Sequence, residues 1–143
     1  VEYKLTPEYI AGFFDGEGSI GIYPRSWNRN HTIRYFVLVV SLAQSGPIGK
    51  RILDHLASVF GGSVYENKPK LQNKKQMWKW NVSADKAFHF LMWFKDYTTI
   101  KTAEIDLGLE FQILDNKRYD NEGAIVLARD IKSCKSIENS FGV

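Results

Sequence analysis

Apolar and polar residues alternate over 19–23, with Ile20 and Ile22 on one side and Ser19, Gly21 and Tyr23 on the other. That spacing of two predicts a strand whose polar side continues to Arg25. Pro24 has no N–H for a ladder, so it limits the strand or places it at a sheet edge. Residues 26–31 are polar, include Arg29, and read as a loop or hairpin tip. A β-branched and aromatic run over 33–43 predicts a second strand. Phe36, Leu38, Val40 and Leu42 form one face of it, and Tyr35, Val37, Val39, Ser41 and Ala43 the other. Both faces are rather apolar; the first set has the larger side chains and is assigned to the core. Two further strands are predicted over 63–67 and 76–83, joined by a basic turn region, 68–75. In the last strand Trp78, Trp80 and Val82 point inward, and Met77, Lys79 and Asn81 outward.

Elsewhere the apolar period lengthens to that of a helix. A first helix is predicted over about 7–16, capped by Thr6 and opened by Pro7. Ser45-Gly46-Pro47 breaks the second strand, and a helix follows to about residue 60, with Ile48, Ile52, Leu53, Leu56 and Val59 as its stripe. Gly61-Gly62 ends it. Ser83 or Asp85 caps a third helix, apolar at Ala87, Phe88, Leu91, Met92 and Phe94. Thr98 and Thr99 cap a fourth, carrying Ile100, Ala103, Leu107 and Phe111, and a last helix is expected over 123–137. Helix-strand-strand thus occurs twice before the closing helices. This order predicts an α+β fold, α-β-β-α-β-β-α, with a four-stranded antiparallel sheet and helices on one face. The expected organisation is a single domain over 1–143, with a core of about 7–115 and a C-terminal helical extension of about 116–143.

Composition narrows the class. A chain of 143 residues, 44% hydrophobic and 14% aromatic, is long and apolar enough to build a core. No apolar run reaches the ~18 residues of a membrane span, and no secretory segment opens the chain. The single Cys134 cannot form an internal disulfide, which agrees with a reducing compartment. Net charge is only +3, but it is unevenly placed. Residues 1–103 hold 14 Lys/Arg against 8 Asp/Glu, and residues 104–143 hold 5 against 8. The positive field therefore belongs to the part of the chain that carries the strands.

The candidate chemistry lies in Ile10-Ala11-Gly12-Phe13-Phe14-Asp15-Gly16-Glu17-Gly18. Gly12 and Gly16 are four apart and share one face of the first helix. Each costs about 1 kcal/mol against alanine, so something is expected to approach that face closely, most simply another helix. Asp15 and Glu17 sit at the negative end of the helix dipole, where acids are disfavoured without a cation, and Gly18 is a natural helix stop. A hard divalent metal suits such oxygen ligands. If two copies packed glycine face to glycine face, their Glu17 residues would converge at the two-fold axis and could build a two-metal centre. The same spacing also describes a core helix that ends in a polar turn with exposed acids.

The outward sheet residues offer a second candidate surface. Ser19, Tyr23, Arg25, Tyr35, Val37, Val39, Ser41, Lys68, Lys79 and Asn81 would face away from the helices. Such a mixture suits base reading: Arg and Lys reach guanine edges, Asn reaches adenine, and apolar groups meet thymine methyls. A strand of ~7 residues spans about 23 Å, or roughly seven base pairs. Lys68, Lys70, Lys74, Lys75 and Lys79 would add phosphate contacts. The alternative is a face covered by a partner or by the C-terminal helix.

The motif, with its flanking Tyr9-Ile10-Ala11-Gly12-Phe13-Phe14-Asp15-Gly16-Glu17-Gly18-Ser19-Ile20, resembles that of the LAGLIDADG homing endonucleases. The resemblance covers roughly 7–115. It implies the fold predicted above, with a saddle-shaped sheet set in the DNA major groove. One motif implies a homodimer on a near-palindromic target of double-stranded DNA; two-motif members are monomers. By the same resemblance Glu17 binds the catalytic metals and Gly16 lends a backbone carbonyl, while Asp15 supports the helix turn. Gly12, Phe13 and Gly16 fall at the dimer interface. Gln44 matches the polar residue that orders water near the metals, with Ser45 as its rival. Lys101 matches the base that stabilises the scissile phosphate, and Lys50 or Arg51 could add a further one. Mg²⁺ is the implied ion, with Mn²⁺ or Ca²⁺ able to substitute for binding. The implied reaction is phosphodiester hydrolysis across the minor groove, leaving 3′ overhangs, in the service of intron homing.

His31, His55 and His89 are not placed for catalysis by pattern, and no nucleophilic partner for Cys134 is visible. Two other functions fit the same scaffold: a maturase acting on intron RNA, alone or alongside cleavage, and a DNA-binding regulator without catalysis. Retention of Glu17 and Lys101 favours the nuclease. The expected location is intracellular, with the DNA of a bacterial cytoplasm or an organelle such as a chloroplast or mitochondrion, and not secreted.

Overall fold

In the computed structural model, described over residues 4–26, 30, 34–67 and 76–141, Thr6 caps the first helix as its residue type predicts. Its Oγ1 accepts from the Tyr9 N–H at 3.2 Å, and Pro7 opens α1 (Pro7–Glu17). Ile10, Ala11 and Phe14 bury one face of this helix completely. Gly18 then leads straight into β1 (Gly18–Ser26) with extended backbone, φ −81° and ψ 158°. It is therefore not a left-handed cap. Its missing Cβ matters because the Phe14 ring takes that space: an added Cβ would lie 2.3 Å from Phe14 Cδ2.

The remaining elements are β2 (Arg34–Ser45), α2 (Gly46–Phe60), β3 (Ser63–Asn67), β4 (Met77–Ser83), α3 (Ala84–Phe94), α4 (Thr102–Gln112) and α5 (Glu122–Phe141), with a short 3₁₀ turn, Lys95–Tyr97, before α4. The strands form one antiparallel sheet in the order β1-β2-β4-β3. Each helix-strand-strand unit thus contributes one central and one edge strand. β1 is an edge, which accommodates Pro24 within it.

The period-two assignments of β1, β2 and β4 hold in the structure. Ile20, Ile22, Leu38, Val40, Leu42, Trp80 and Val82 are buried under the helices, and Phe36 and Trp78 pack against them. The Trp80 indole N–H donates to the Gly61 carbonyl at 2.9 Å, which ties the end of α2 to β4 and satisfies a buried polar atom. Phe90 joins this core, edge-on to Trp80 at 4.8 Å between centroids. Deleting a ring of this kind typically costs 3–5 kcal/mol.

The helix stripes differ from the prediction at their margins. In α2 the buried set is Gly49, Ile52, Leu53 and Leu56, while Ile48 and Val59 are both 60% exposed. In α3 it is Ala87, Phe90, Leu91 and Phe94; Met92 is exposed and Phe88 half-buried. Thr98 and Thr99 do not cap α4, which starts at Thr102 with Lys101 in the cap position. Its buried residues are Glu104, Ile105, Gly108 and Phe111, and Ile100 and Ala103 are exposed. The Thr98 hydroxyl is instead turned back onto the 3₁₀ turn, as described below.

The C-terminal part returns to the sheet. Phe36 N–H donates to the Lys117 carbonyl at 2.7 Å, and Tyr119 N–H to the Arg34 carbonyl at 3.3 Å, around a Tyr35–Arg118 bridge. These bonds occupy the start of β2, beyond the reach of β4, which pairs with Val39 to Ser45. α5 packs on α4 and β1 and adds Ala124, Leu127, Ala128 and Ile131 to the same core. It covers the helix side of the sheet and leaves the outward side to the strands. Among the described residues no helix is long and apolar enough to cross a membrane.

Candidate active site and nucleic-acid interface

The two faces of α1 are unlike. Opposite the buried face, Gly12 and Gly16 are exposed, and a Cβ built on either would meet nothing within 4 Å. Phe13 is half-buried beside them, and Tyr9 is 52% exposed one turn earlier. The glycines therefore serve no close contact inside the protomer. Glu17 closes the helix with an exposed carboxylate. The carbonyl of Gly16 belongs to the last turn, where carbonyls lack helical partners.

Asp15 has a different role. Its Oδ2 accepts from Thr99 N–H at 2.9 Å and its Oδ1 from Lys101 N–H at 3.3 Å. The carboxylate thus satisfies two backbone N–H groups of the turn that leads into α4. Thr98 Oγ1 donates to the Lys95 carbonyl at 2.8 Å and tightens the same turn. The Glu8 charge, together with its hydrogen bond, holds the Tyr97 phenol above its ordinary pKa and links the start of α1 to the 3₁₀ turn. Lys101, half-buried, is thereby fastened to the residue two before Glu17.

Gln44 stands two residues beyond Leu42, which pairs with Gly18 at the exit of the motif. Its side chain is turned toward α2: Oε1 accepts from Ser45 N–H at 3.0 Å, and an added Cβ on Gly49 would lie 2.4 Å from its Cγ. Ser45 occupies the cap position of α2 without a side-chain capping bond. Lys50 is paired with Asp54 at 2.8 Å and lies over the Trp78 ring, and Arg51 is exposed. His55 and His89 are exposed on α2 and α3.

On the outward sheet face the register sets Ser19, Ser41, Asn81 and Ser63 in one row across all four strands. Val37 and Val39 lie half-buried opposite Tyr23 and Gly21. Tyr23 lies back over Gly21, where a Cβ would sit 2.2 Å from its Cζ, and the Arg25 guanidinium stands 5.9 Å from the Tyr23 centroid. Arg25 is held further by Nη1 donating to the Pro24 carbonyl at 3.1 Å. Tyr35 is half-buried opposite Arg25, and Lys79 is opposite Tyr65. A concavity of about 310 Å³ opens on this face, bounded by Arg25, Val37, Val39, Asn81 and Lys86 among others. Arg29 and Lys68 lie outside the described residues, as do Lys70, Lys74, Lys75 and His31.

Three residues of this surface escape the sequence pattern. Tyr65, 41% exposed, sits on a strand too short to show a period. Lys86 reaches the face from α3, and Arg118 comes to it through the return of the C-terminal segment. Only the register of β3 on β4 reveals the first.

The donor set limits what one protomer can hold. Among the described residues no three His, Cys, Asp or Glu side chains are grouped to bind a metal. With the Asp15 oxygens committed to backbone amides, Glu17 and the Gly16 carbonyl remain at this end of α1. These are hard oxygen donors that suit a divalent cation, but a half set.

The chain belongs to the LAGLIDADG endonuclease family, whose profile matches residues 10–109. Among solved structures, the homing endonuclease I-CvuI, in complex with its target, is 20% identical with a TM-score of 0.67, over 90% of this chain and 80% of its own. The homing endonuclease I-TnaI is 17% identical with a TM-score of 0.65, over 96% and 99%. The DNA-bound meganuclease I-SmaMI is 18% identical with a TM-score of 0.64, over 92% of this chain and 45% of its own. At these identities the likeness speaks for the fold. No curated protein sequence matches the chain.

Proposed function

We propose that this protein is a site-specific DNA endonuclease that acts as a homodimer on a long, near-palindromic duplex and leaves 3′ overhangs. The observation that carries the reading is the open glycine face of α1, which ends in a lone carboxylate. Two such faces packed together would bring a second Glu17 beside the first and complete the oxygen donor set. The length of I-SmaMI, of which this chain matches about half, agrees with two copies doing the work of one longer chain.

Glu17 and the Gly16 carbonyl would hold the metal, with Mg²⁺ as the ion; I-CvuI was crystallised on DNA with calcium and with magnesium. Bound there, a divalent ion supplies Lewis acidity to water and to the phosphate oxygens. The chain's own residues do the rest. The sheet binds the duplex, with Arg25, Lys79 and the lysines of 68–75 on phosphates and bases. Lys101, held by Asp15, offsets the charge that grows on the scissile phosphate. Gln44 orients water near the site. Duplex DNA is thus the partner, inside the cell where it is kept.

Glu17→Gln tests the assignment. It should remove cleavage while leaving duplex binding within about twofold, because Glu17 touches the metal and not the bases. Retention of the parent cleavage rate would remove Glu17 from the site.

A further inference from the structure

We propose that Asn81 reads an adenine in the major groove, and that Ser41 and Tyr65 hold its amide in the single orientation that reading needs. The inference rests on the DNA-binding reading of the sheet face and goes on to name the base and the positioning residues.

Asn81 stands on β4, directly opposite Ser41 on β2 and diagonal to Tyr65 on β3. Its Oδ1 lies 2.5 Å from Ser41 Oγ, and its Nδ2 lies 3.1 Å from the Tyr65 hydroxyl oxygen. The first length belongs to an O–H···O bond and the second to an N–H···O bond. A flipped amide would place N–H against Ser41 at a distance below the usual N–H···O range. Ser41 therefore donates to the carbonyl, the amide nitrogen donates to Tyr65, and the carbonyl faces β2.

An amide oxygen has two lone pairs and an amide nitrogen two protons. The two bonds use one of each. What remains is one acceptor beside one donor, in an order the flanking strands fix. In the major groove that pair matches adenine, which offers the N6 donor beside the N7 acceptor; guanine offers two acceptors. Ser41 is 7% exposed and is shielded from a base, so it acts through Asn81 as a positioning residue. The Tyr65 hydroxyl, having accepted from Asn81, keeps its own proton for a neighbouring acceptor.

The test is selection of duplexes from a randomised library in calcium, without cleavage, by the parent chain and by variants checked for folding by thermal melting. The parent should enrich a site with an adenine that recurs in its second half-site. Asn81→Ala should erase that preference, by about 10- to 100-fold. Ser41→Thr, which keeps the hydroxyl, should retain it, whereas Ser41→Val, nearly isosteric with that variant but without the hydroxyl, should weaken it about fivefold and leave other positions unchanged. Tyr65→Phe, at a more exposed site, should act in the same direction and carries the test if Ser41→Val does not fold. Equal behaviour of the Thr and Val variants, or an unchanged profile for Asn81→Ala, would overturn the amide assignment while DNA binding stands. A parent that enriches no duplex would bring down both readings.

Discussion

Two carboxylates stand two residues apart in the motif, and their surroundings separate their work. Asp15 is half-buried and accepts two backbone N–H bonds from a turn more than eighty positions away in sequence. Glu17 is exposed, at the last position of the helix. Asp15→Ala should therefore release Thr99 and Lys101 without removing a metal ligand. Charged groups bonded to amides are worth about 1.5–3 kcal/mol each, less where water reaches them. Melting should show a loss of about 1–2 kcal/mol on that basis, and single-turnover cleavage should slow about tenfold or more with duplex affinity kept. An unchanged rate would show that Lys101 does not depend on Asp15. The same turn also shows why the sequence misplaces the start of the fourth helix. Thr98 and Thr99 are good capping residues by type, yet the Thr98 hydroxyl turns back to the Lys95 carbonyl, and nothing local reveals that. Gln44 and Tyr65 were equally hidden in part, the first because its orientation depends on the missing side chain of Gly49, the second because five residues of β3 show no period.

Elements were more legible than single contacts. The alternation in β1, β2 and β4 is read correctly because a one-residue slip would turn every side chain to the wrong face. Helix stripes are softer: Ile48 and Val59 fall near the margin of α2, and only packing decides which side of the margin they take. The glycines of α1 separate folding from association. At Gly18 a Cβ would press on the Phe14 ring, so Gly18→Ala should lower stability by about 1–3 kcal/mol. At Gly12 nothing in the protomer stands in the way, and replacing a helical glycine favours the helix by about 1 kcal/mol. Gly12→Leu should accordingly leave the melting temperature of the protomer undiminished. In sedimentation it should run as a monomer, and cleavage should be lost with the dimer. A Gly12→Leu variant that kept the parent mass and activity would place the partner contact elsewhere.

At the scale of the whole molecule, the sheet divides the chain's tasks. The helices, including α5, cover one side and hold the core; the other side carries the Ser19–Ser41–Asn81–Ser63 row, Arg25 and Lys79. The surplus of positive charge lies over residues 1–103, the part of the chain that holds the strands, and the surplus of acid over 104–143 belongs to α4, with Glu104, Asp106 and Glu110. Net charge alone concealed this separation. The central claim joins that surface to the paired Glu17 carboxylates. Its most direct test is incubation of the protein with a randomised duplex library, with Mg²⁺ and with EDTA, followed by sequencing of the cut ends. The account predicts Mg²⁺-dependent cuts at one near-palindromic site with 3′ overhangs, absent in EDTA. Cuts that persist in EDTA, or an enriched site that is bound and never cut, would contradict it.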